Sequence, residues 1–418
     1  MVKKKRKMKK APILFLALLI AVVGGYFALS SFLPKKIGEK QIMIGNFTGK
    51  TYQELKEFAD SNNLILDVSY ESSNSVEKDK IISQNIIDKE VDKKTTIKIV
   101  VSKGGLSNED LERLKVNEDG KVPIMMYHGI IDMKSEDTKY TGGNVDKDGY
   151  NRTAEAFRED LEYYYQNGYR MIRLQDYING VIDVEVGKSP IILTFDDGRE
   201  DNFKVTGIDD KGNLQIDPNC AIGVLEEFKK KYPDFNVTAT FFVNSGIFNQ
   251  KEYNQKILDW LFANGYDVGN HTLTHPDFTK ISLNESNKEV GGLYKILDEY
   301  AKDKYVNIIA LPFGSPYKKS HANFDAIMNP TYEGKTWKTE AALRVGWDAE
   351  ISPFDEDFDK TFLKRVRAYD NDGEEFDIKM VFTNLTKTRY ISDGDKNTVT
   401  VPMKLKDNLK TDLKVITY

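Results

Sequence analysis

The sequence predicts an α/β fold built on a parallel sheet or barrel, and two observations support this prediction. Between residues 122 and 346, short apolar segments typical of strands alternate with longer segments of helical periodicity. Strands that alternate with helices pair in parallel, because each helix returns the chain to the start of the next strand. The segment Ile191–Phe195 is apolar except for Thr194, as expected of a strand whose two faces are both covered.

The individual elements follow from these two periodicities. The predicted strands are Val122–Tyr127, Tyr169–Leu174, Ile191–Phe195, Val237–Val243, Tyr266–Val268, Asn307–Leu311 and Ala342–Gly346. The predicted helices are Ala154–Asn167, Ala221–Tyr232, Gln255–Asn264 and Glu285–Tyr300. A polar hairpin is expected at Thr206–Pro218, and residues 371–418 are expected to form a β-rich extension with strands at Asp377–Asn384, Thr398–Met403 and Leu413–Tyr418. The α/β region itself spans residues 121–370.

The amino terminus has the pattern of a membrane anchor. Residues 1–10 contain seven Lys or Arg and no acid, and residues 11–33 carry no charge. Twenty-three apolar residues are enough to cross a bilayer as a helix, and the basic flank stays on the cytoplasmic side. We therefore expect a single-pass protein of the cell membrane whose carboxyl-terminal domains are extracellular. A signal peptide cleaved near Ala28-Leu29-Ser30 is the alternative.

The charge balance argues against nucleic acid as a partner. Beyond residue 10 the chain holds 53 basic and 65 acidic residues, which leaves it mildly acidic, whereas nucleic-acid binding favours a basic surface. The single cysteine, Cys220, excludes an intramolecular disulfide and is interpreted as a small buried side chain.

A small α+β module is predicted at residues 40–104, followed by a polar linker at 105–120. Gly49-Lys50-Thr51 precedes an amphipathic helix, and strands are expected at Leu64–Tyr70, at Lys80–Gln84 and at Thr95–Ser102. The segments Gly-Lys-Thr-x-x-Glu-Leu, Ile-Ile-Ser-Gln and Val-Val-Ser-Lys-Gly resemble those of a PASTA domain. That resemblance implies a bacterial cell-wall protein and peptidoglycan as a partner. A spacer that lifts the next domain from the membrane is the alternative.

Two adjacent acids, Asp196 and Asp197, follow the strand Ile191–Phe195 and precede Gly198. Neighbouring like charges are costly to bury without a cation or a shared proton. Successive side chains of a strand point to opposite faces, so both acids reach one site only if the backbone turns there. Gly198 gives the backbone that freedom. A solvated turn is the ordinary interpretation of Asp-Asp-Gly by itself.

Two of the four histidines, His271 and His275, follow another predicted strand. His-x-x-x-His on a helix would put both rings on one face, but Pro276 disfavours the helical conformation at His275 and favours a loop. His128 follows the first strand, so the reactive side chains collect at carboxyl ends of strands, where parallel α/β barrels form their sites. One carboxylate and two imidazoles suit zinc, with a fourth position open to water.

These residues resemble the motifs of the polysaccharide deacetylases, carbohydrate esterase family 4. The resemblance lies in Thr194-Phe195-Asp196-Asp197-Gly198, in His271-Thr272-x-x-His275 and in Ala239-Thr240-Phe241-Phe242-Val243. It implies a distorted (β/α) barrel that removes acetyl groups from N-acetylated sugars. Carried over, Asp196 is the general base, while Asp197, His271 and His275 hold a divalent metal, for which zinc is expected. The backbone N–H of Phe313 is expected to bind the oxyanion.

The sequence also departs from the family pattern. The third motif usually begins with an arginine that steadies the base, but Ala310 occupies that position here. The late Leu-x-His that usually supplies the acid is absent, because no histidine follows His321, which lies in a polar loop. The remaining candidate acid is His128, in Met-Met-Tyr-His-Gly, similar to the branch that deacetylates poly-N-acetylglucosamine. A structural role for His128 is the alternative.

The resulting hypothesis is a membrane-anchored, metal-dependent N-deacetylase of peptidoglycan or poly-N-acetylglucosamine at the outer face of the membrane. A wall-binding protein that has lost or weakened its deacetylase activity is the rival, favoured by the two missing motif residues. An enzyme for secreted exopolysaccharides or xylan-like polymers is the second rival.

Overall fold

The computed structural model describes residues 41–418 and separates them into two compact units. The described part of the first unit comprises residues 41–71 and 78–103, and the second comprises residues 72–77 and 104–418. The predicted basic tail and membrane span, residues 1–33, lie outside the described residues. From residue 41 onward, no helix has both the length and the apolar character needed to cross a membrane.

The first unit packs one helix on a small sheet. Its elements are β1 (Ile42–Ile44), α1 (Tyr52–Ser61), β2 (Ile65–Glu71), β3 (Ile81–Gln84), β4 (Lys89–Val91) and β5 (Thr96–Ser102). Thr51 begins α1 with a capping box, in which its side chain and that of Glu54 each accept the other residue's backbone N–H. Leu55 and Ala59, one turn apart, are the buried residues of the helix. The central strand β5 pairs with β2 in parallel and with β3 antiparallel. The predicted helix and three strands are confirmed, and β1 and β4 were not predicted.

The second unit alternates strands and helices, as predicted. Its strands are β6 (Ile124–Tyr127), β7 (Ile130–Ile131), β8 (Arg152–Thr153), β9 (Tyr169–Met171), β10 (Ser189–Phe195), β11 (Val205–Ile208), β12 (Leu214–Ile216), β13 (Thr240–Val243), β14 (Asp267–Asn270), β15 (Ile308–Ala310), β16 (Thr331–Tyr332), β17 (Lys335–Thr336), β18 (Ala341–Leu343), β19 (Val366–Arg367), β20 (Val399–Val401) and β21 (Val415–Thr417). Its helices are α2 (Asn108–Leu114), α3 (Ala154–Gln166), α4 (Leu174–Ile178), α5 (Ala221–Lys231), α6 (Asn254–Ala263), α7 (Leu283–Ala301), α8 (Phe324–Met328) and α9 (Ile378–Leu385).

The main sheet is parallel, and its strands follow the order β18-β15-β14-β13-β10-β6-β19, with β9 also paired to β10. The sheet is curled, so that its two edge strands approach each other. The Leu363 N–H, just before β19 at one edge, donates to Ala342 O on β18 at the other edge. The predicted parallel α/β fold is confirmed, and the curled sheet is consistent with the expected barrel. Every residue of β10 is buried, which explains its largely apolar sequence, and its two polar residues, Ser189 and Thr194, donate their hydroxyls to backbone carbonyl oxygens.

The extension contains one clear error of prediction. The segment predicted as the strand Asp377–Asn384 is the helix α9. The Asp377 side chain caps the helix by accepting the N–H groups of Lys379 and Met380. The apolar run also has helical spacing, because Ile378, Val381, Phe382 and Leu385 are the buried residues. The antiparallel hairpin β11–β12 and the later strands β20 and β21 agree with the prediction.

Candidate functional site

The register of two neighbouring strands brings Asp196 and His128 together. Phe195 at the end of β10 lies opposite Tyr127 at the end of β6, and the Asp196 N–H donates to Tyr127 O at 2.9 Å. The next residue of each strand therefore points the same way, and His128 Nε2 lies 3.9 Å from Asp196 Oδ2. Both side chains are largely buried, so this pair forms the floor of the candidate site.

The backbone turns sharply where the site needs it. Asp197 has φ of +75°, and Gly198 follows at +54°. A Cβ on Gly198 would lie 2.3 Å from the carbonyl oxygen of Ile247, so that position is reserved for glycine. His275 also has a positive φ, +61°, and lies in a loop, as Pro276 indicated. Such left-handed conformations are unusual for residues other than glycine and collect at functional sites. They turn Asp197 and His275 towards the same point.

Asp197, His271 and His275 form the predicted trio. One ligand atom from each lies within 4.8 Å of the others. His271 Nε2 is 3.3 Å from Asp197 Oδ1, and His275 Nε2 is 3.7 Å from the same oxygen. The spacing and the donor set of one carboxylate and two imidazoles fit a divalent cation such as zinc with a position left open.

The hydrogen bonding of His271 supports that interpretation. Its Nδ1 lies 2.8 Å from the carbonyl oxygen of Ala310, which can accept but not donate, so Nδ1 carries the proton. In the neutral imidazole Nε2 is then the unprotonated nitrogen, and it is buried without any hydrogen-bond partner in the described chain. Metal-ligating histidines usually donate their other ring nitrogen to a carbonyl or carboxylate in this way. The orphaned Nε2 is therefore the atom that a cation would satisfy.

The three site histidines differ in their electrostatic surroundings. Burial lowers the pKa of His128, and the charges of Asp196 and Asp197 oppose this shift without cancelling it. Burial also disfavours the charged form of His271, but the adjacent Asp196 and Asp197 outweigh it and raise its pKa. The pKa of His275 is lowered by burial and by the neighbouring His271. His128 and His275 are thus biased towards the neutral form.

A residue that the sequence analysis missed, Arg365, holds Asp196. Its Nη1 and Nη2 donate to the two carboxylate oxygens of Asp196 at 2.7 Å each. Arg365 is fully buried, and its Nε donates to the carbonyl oxygen of Arg344. Burial by itself would raise the pKa of Asp196, but the charges of Arg365 and His271 hold it well below its usual range. The arginine expected in the third motif, where Ala310 stands, therefore has a counterpart in the segment just before β19.

The site opens into a cavity of about 270 Å³. The expected site residues Asp196, Asp197, His128, His271, His275 and Phe313 all line it. Phe313 has φ of +57° in a 3₁₀ turn, and its ring lies 4.6 Å from that of His275. His321 is not among the lining residues, and its Nδ1 accepts the Asn323 N–H instead.

Comparison with known protein families identifies both units. A polysaccharide deacetylase family model matches residues 183–327, and a PASTA domain model matches residues 42–103. The chain therefore carries a polysaccharide deacetylase domain, preceded by a PASTA domain. A domain of this kind makes the protein a hydrolase of carbon–nitrogen bonds other than peptide bonds.

Solved structures of deacetylases are similar in part. The Streptococcus pyogenes deacetylase PplD is 19% identical with a TM-score of 0.44, and the match covers 64% of this chain and 97% of that one. A de-N-acetylase from Aggregatibacter actinomycetemcomitans is 12% identical with a TM-score of 0.40, over 63% and 99% of the two chains. The Bacillus subtilis peptidoglycan deacetylase PdaC is 23% identical with a TM-score of 0.22, over 32% and 55%. The assignment depends on the family models.

Proposed function

We propose that the protein is a zinc-dependent N-deacetylase of an N-acetylated cell-envelope glycan, either peptidoglycan or poly-N-acetylglucosamine, at the outer face of the membrane. The observation that carries the proposal is the orphaned Nε2 of His271, which points with Asp197 and His275 at one position beside Asp196. A cation held by these three residues would polarise the acetamide carbonyl and lower the pKa of water.

Asp196 is proposed as the general base. It lines the cavity next to the ligand Asp197, and the bidentate contact with Arg365 fixes both its orientation and its ionised state. Because the pKa of Asp196 is held well below its usual range, the carboxylate stays available as a proton acceptor at neutral and mildly acidic pH. Arg365 acts through Asp196 and is a positioning residue.

His128 is proposed as the acid that protonates the amine leaving group. It lines the same cavity and is buried against Asp196, and its Nδ1 makes no hydrogen bond within the described chain. A buried imidazole with a lowered pKa is a stronger proton donor once it has been charged. His128 would thus take the place of the late Leu-x-His histidine, which this chain lacks.

The backbone N–H of Phe313 is proposed to bind the oxyanion of the tetrahedral intermediate. Phe313 lines the cavity, and its backbone is in the left-handed conformation in the turn that follows β15. Such a donor stabilises charge that develops in the transition state without reorganising.

The rival, a wall-binding protein without activity, depended on two missing motif residues. Arg365 contacts Asp196 in place of the first, and His128 offers an imidazole in place of the second. Both observations support an active enzyme. The membrane anchor at residues 11–33 and wall binding by the PASTA domain complete the proposal, and both favour a substrate outside the cell.

Metal analysis together with acetate release tests this function. We expect about one divalent ion per chain in the purified protein, acetate release from N-acetylglucosamine oligomers, and loss of both after exhaustive chelation. His271→Ala should lose the ion, whereas His321→Ala should retain both ion and activity and serves as the matched control. Undiminished acetate release from metal-free protein would refute the metal-dependent mechanism, and a metal-loaded protein inert on every acetylated glycan would favour the rival.

Protease treatment of intact cells tests the location. An external protease should remove residues 41–418 and leave the amino-terminal tail protected. A soluble product that begins near Ser31 would instead identify a cleaved signal peptide.

A further inference from the structure

Arg367, the last residue of β19, lies among aromatic rings close to the candidate cavity. Its guanidinium carbon is 3.9 Å from the centre of the Trp347 ring and 4.8 Å from the centres of the Tyr150 and Tyr369 rings. Cations are attracted to such ring faces, and arginine stacks on them more readily than lysine does. The rings hold the guanidinium in a defined orientation.

Arg367 has no compensating charge at close range. In the part of the chain that the structure describes, no carboxylate comes within 4.0 Å of it, and its Nε is buried without a hydrogen-bond partner. The side chain is 7% exposed, and burial lowers its pKa, while Asp148 and the Tyr150 hydroxyl only partly offset the effect. Arg365, two residues earlier, has a bidentate carboxylate partner. A nearly buried, unpaired cation is costly, and such groups collect at binding sites.

The position of Arg367 connects it to the reaction. Arg365 directly precedes β19 and Arg367 is its last residue, so strand alternation directs both side chains to the same side. Arg367 lies opposite Met126 of β6, the strand that His128 follows. Tyr150, which contacts Arg367, also lines the cavity, and its ring is 4.9 Å from that of His128. Trp347 is 36% exposed and packs on Phe376, so it offers an apolar surface next to the cation. A sugar next to the one being deacetylated would meet both features.

We propose that Arg367 binds an anionic substituent, a carboxylate or a phosphate, on the sugar adjacent to the acetylated residue. The inference rests on the proposed deacetylase function and sharpens it, because it selects an acidic glycan over a neutral homopolymer of N-acetylglucosamine. The planar guanidinium fork matches both oxyanions, and charge-assisted hydrogen bonds to it are strong. Of the two glycans named above, peptidoglycan carries such carboxylates.

Kinetics with three sets of oligosaccharides test this inference. The oligomers have equal length and N-acetylation, and alternate sugars carry no charge, a carboxylate or a phosphate. We expect the wild type to have a higher kcat/KM for one or both acidic sets, mainly through KM. Arg367→Gln should reduce the ratio of acidic to neutral kcat/KM by roughly ten- to a hundredfold, and Arg367→Lys should restore part of it. The preferred set identifies the anion.

Arg389 is the matched control. It also stacks on an aromatic ring, that of Tyr169, and its buried Nε has no hydrogen-bond partner among residues 41–418. Tyr169 pairs with Ser189 at the amino end of β10, so Arg389 lies at the opposite end of the sheet from the cavity. Arg389→Gln should leave the acidic-to-neutral ratio at its wild-type value. A ratio that is close to one in the wild type, or that Arg367→Gln preserves, would overturn the proposal.

Two further measurements separate this inference from the deacetylase function and from misfolding. Calorimetric binding of the same oligomers to chelator-treated wild type needs no turnover. Preferential binding of acidic oligomers there supports the role of Arg367 even if no set releases acetate, a result that would refute the proposed function alone. If Arg367→Gln does not fold, the salt dependence of the wild type provides the test. Its KM for the acidic sets should rise with ionic strength more steeply than its KM for the neutral set. Equal salt dependence would contradict the proposal.

Discussion

Two buried arginine–aspartate pairs in the same unit have opposite electrostatic outcomes. Arg365 donates to both oxygens of Asp196 beside the candidate site. Arg152 donates through Nε and Nη2 to the two oxygens of Asp160, between β8 and α3. The contacts have similar lengths, and all four side chains are less than 10% exposed. Yet the pKa of Asp196 is held well below its usual range, whereas burial raises the pKa of Asp160.

The difference lies in the neighbours of each pair. The imidazoles of His271 and His128 also lower the pKa of Asp196, in addition to the effect of Arg365. Asp160 receives a hydrogen bond from the neutral Tyr127 hydroxyl and feels the negative charge of Asp370. One guanidinium is therefore not enough to offset the burial of a carboxylate, and Asp196, the proposed base, is kept ionised by Arg365 together with the neighbouring imidazoles.

The end of β6 contacts both aspartates, one on each side of the strand. Tyr127 and His128 are consecutive at the end of β6, and alternation sends Tyr127 to Asp160 and His128 towards Asp196. The two pairs therefore offer matched substitutions, in which the pair at Asp160 serves as the structural control for the pair at Asp196.

The largest effect is expected for the two aspartates. Asp196→Asn should reduce deacetylation by roughly 10²–10⁴-fold, because the base is lost, while the protein still binds metal. Asp160→Asn leaves Arg152 unpaired and should lower stability with turnover per folded molecule unchanged. Acetate release normalised to the folded fraction from thermal melts measures both. Equal losses of normalised activity in the two variants would contradict the assignment of Asp196 as base.

The next effect concerns the consecutive residues of β6. His128→Gln should reduce turnover at least about a hundredfold if the imidazole is the acid. Tyr127→Phe removes one buried hydroxyl and should cost about 1 kcal/mol of stability with little change in turnover. Rates and melting temperatures of both variants decide the matter. A His128→Gln enzyme with normal melting and normal turnover would mean that another group donates the proton.

The smallest effect is a shift in pH dependence. Removing the cation in Arg365→Gln should raise the pKa of Asp196 by about one to three units. Activity requires the ionised carboxylate, so it is present above that pKa and lost as the pH falls. The acidic limb of the rate profile should therefore move to higher pH. Arg152→Gln should destabilise the protein comparably without moving that limb, and a shift in both variants would show that the effect comes from general loosening of the fold.

The sequence by itself contained the order of the α/β elements and most of the site. Asp196, Asp197, His271 and His275 each follow a strand within one to five residues, so strand alternation and local turns place them. The loop at His275 followed from Pro276, since that constraint acts between neighbouring residues. The error at α9 also has a local cause, because a short apolar run fits both periodicities and only the cap at Asp377 distinguishes the helix from a strand.

The tertiary structure decided which side chain holds Asp196, the proposed base. Arg365 lies 169 positions from Asp196, next to a two-residue strand with little periodicity of its own. β19 pairs with β6 at one edge, and the curl of the sheet carries the preceding residues across to β18. Only this approach of the two sheet edges brings the guanidinium of Arg365 to Asp196 at the end of β10. Local sequence determines which residues end a strand, whereas the charge that surrounds them depends on which distant strands become neighbours.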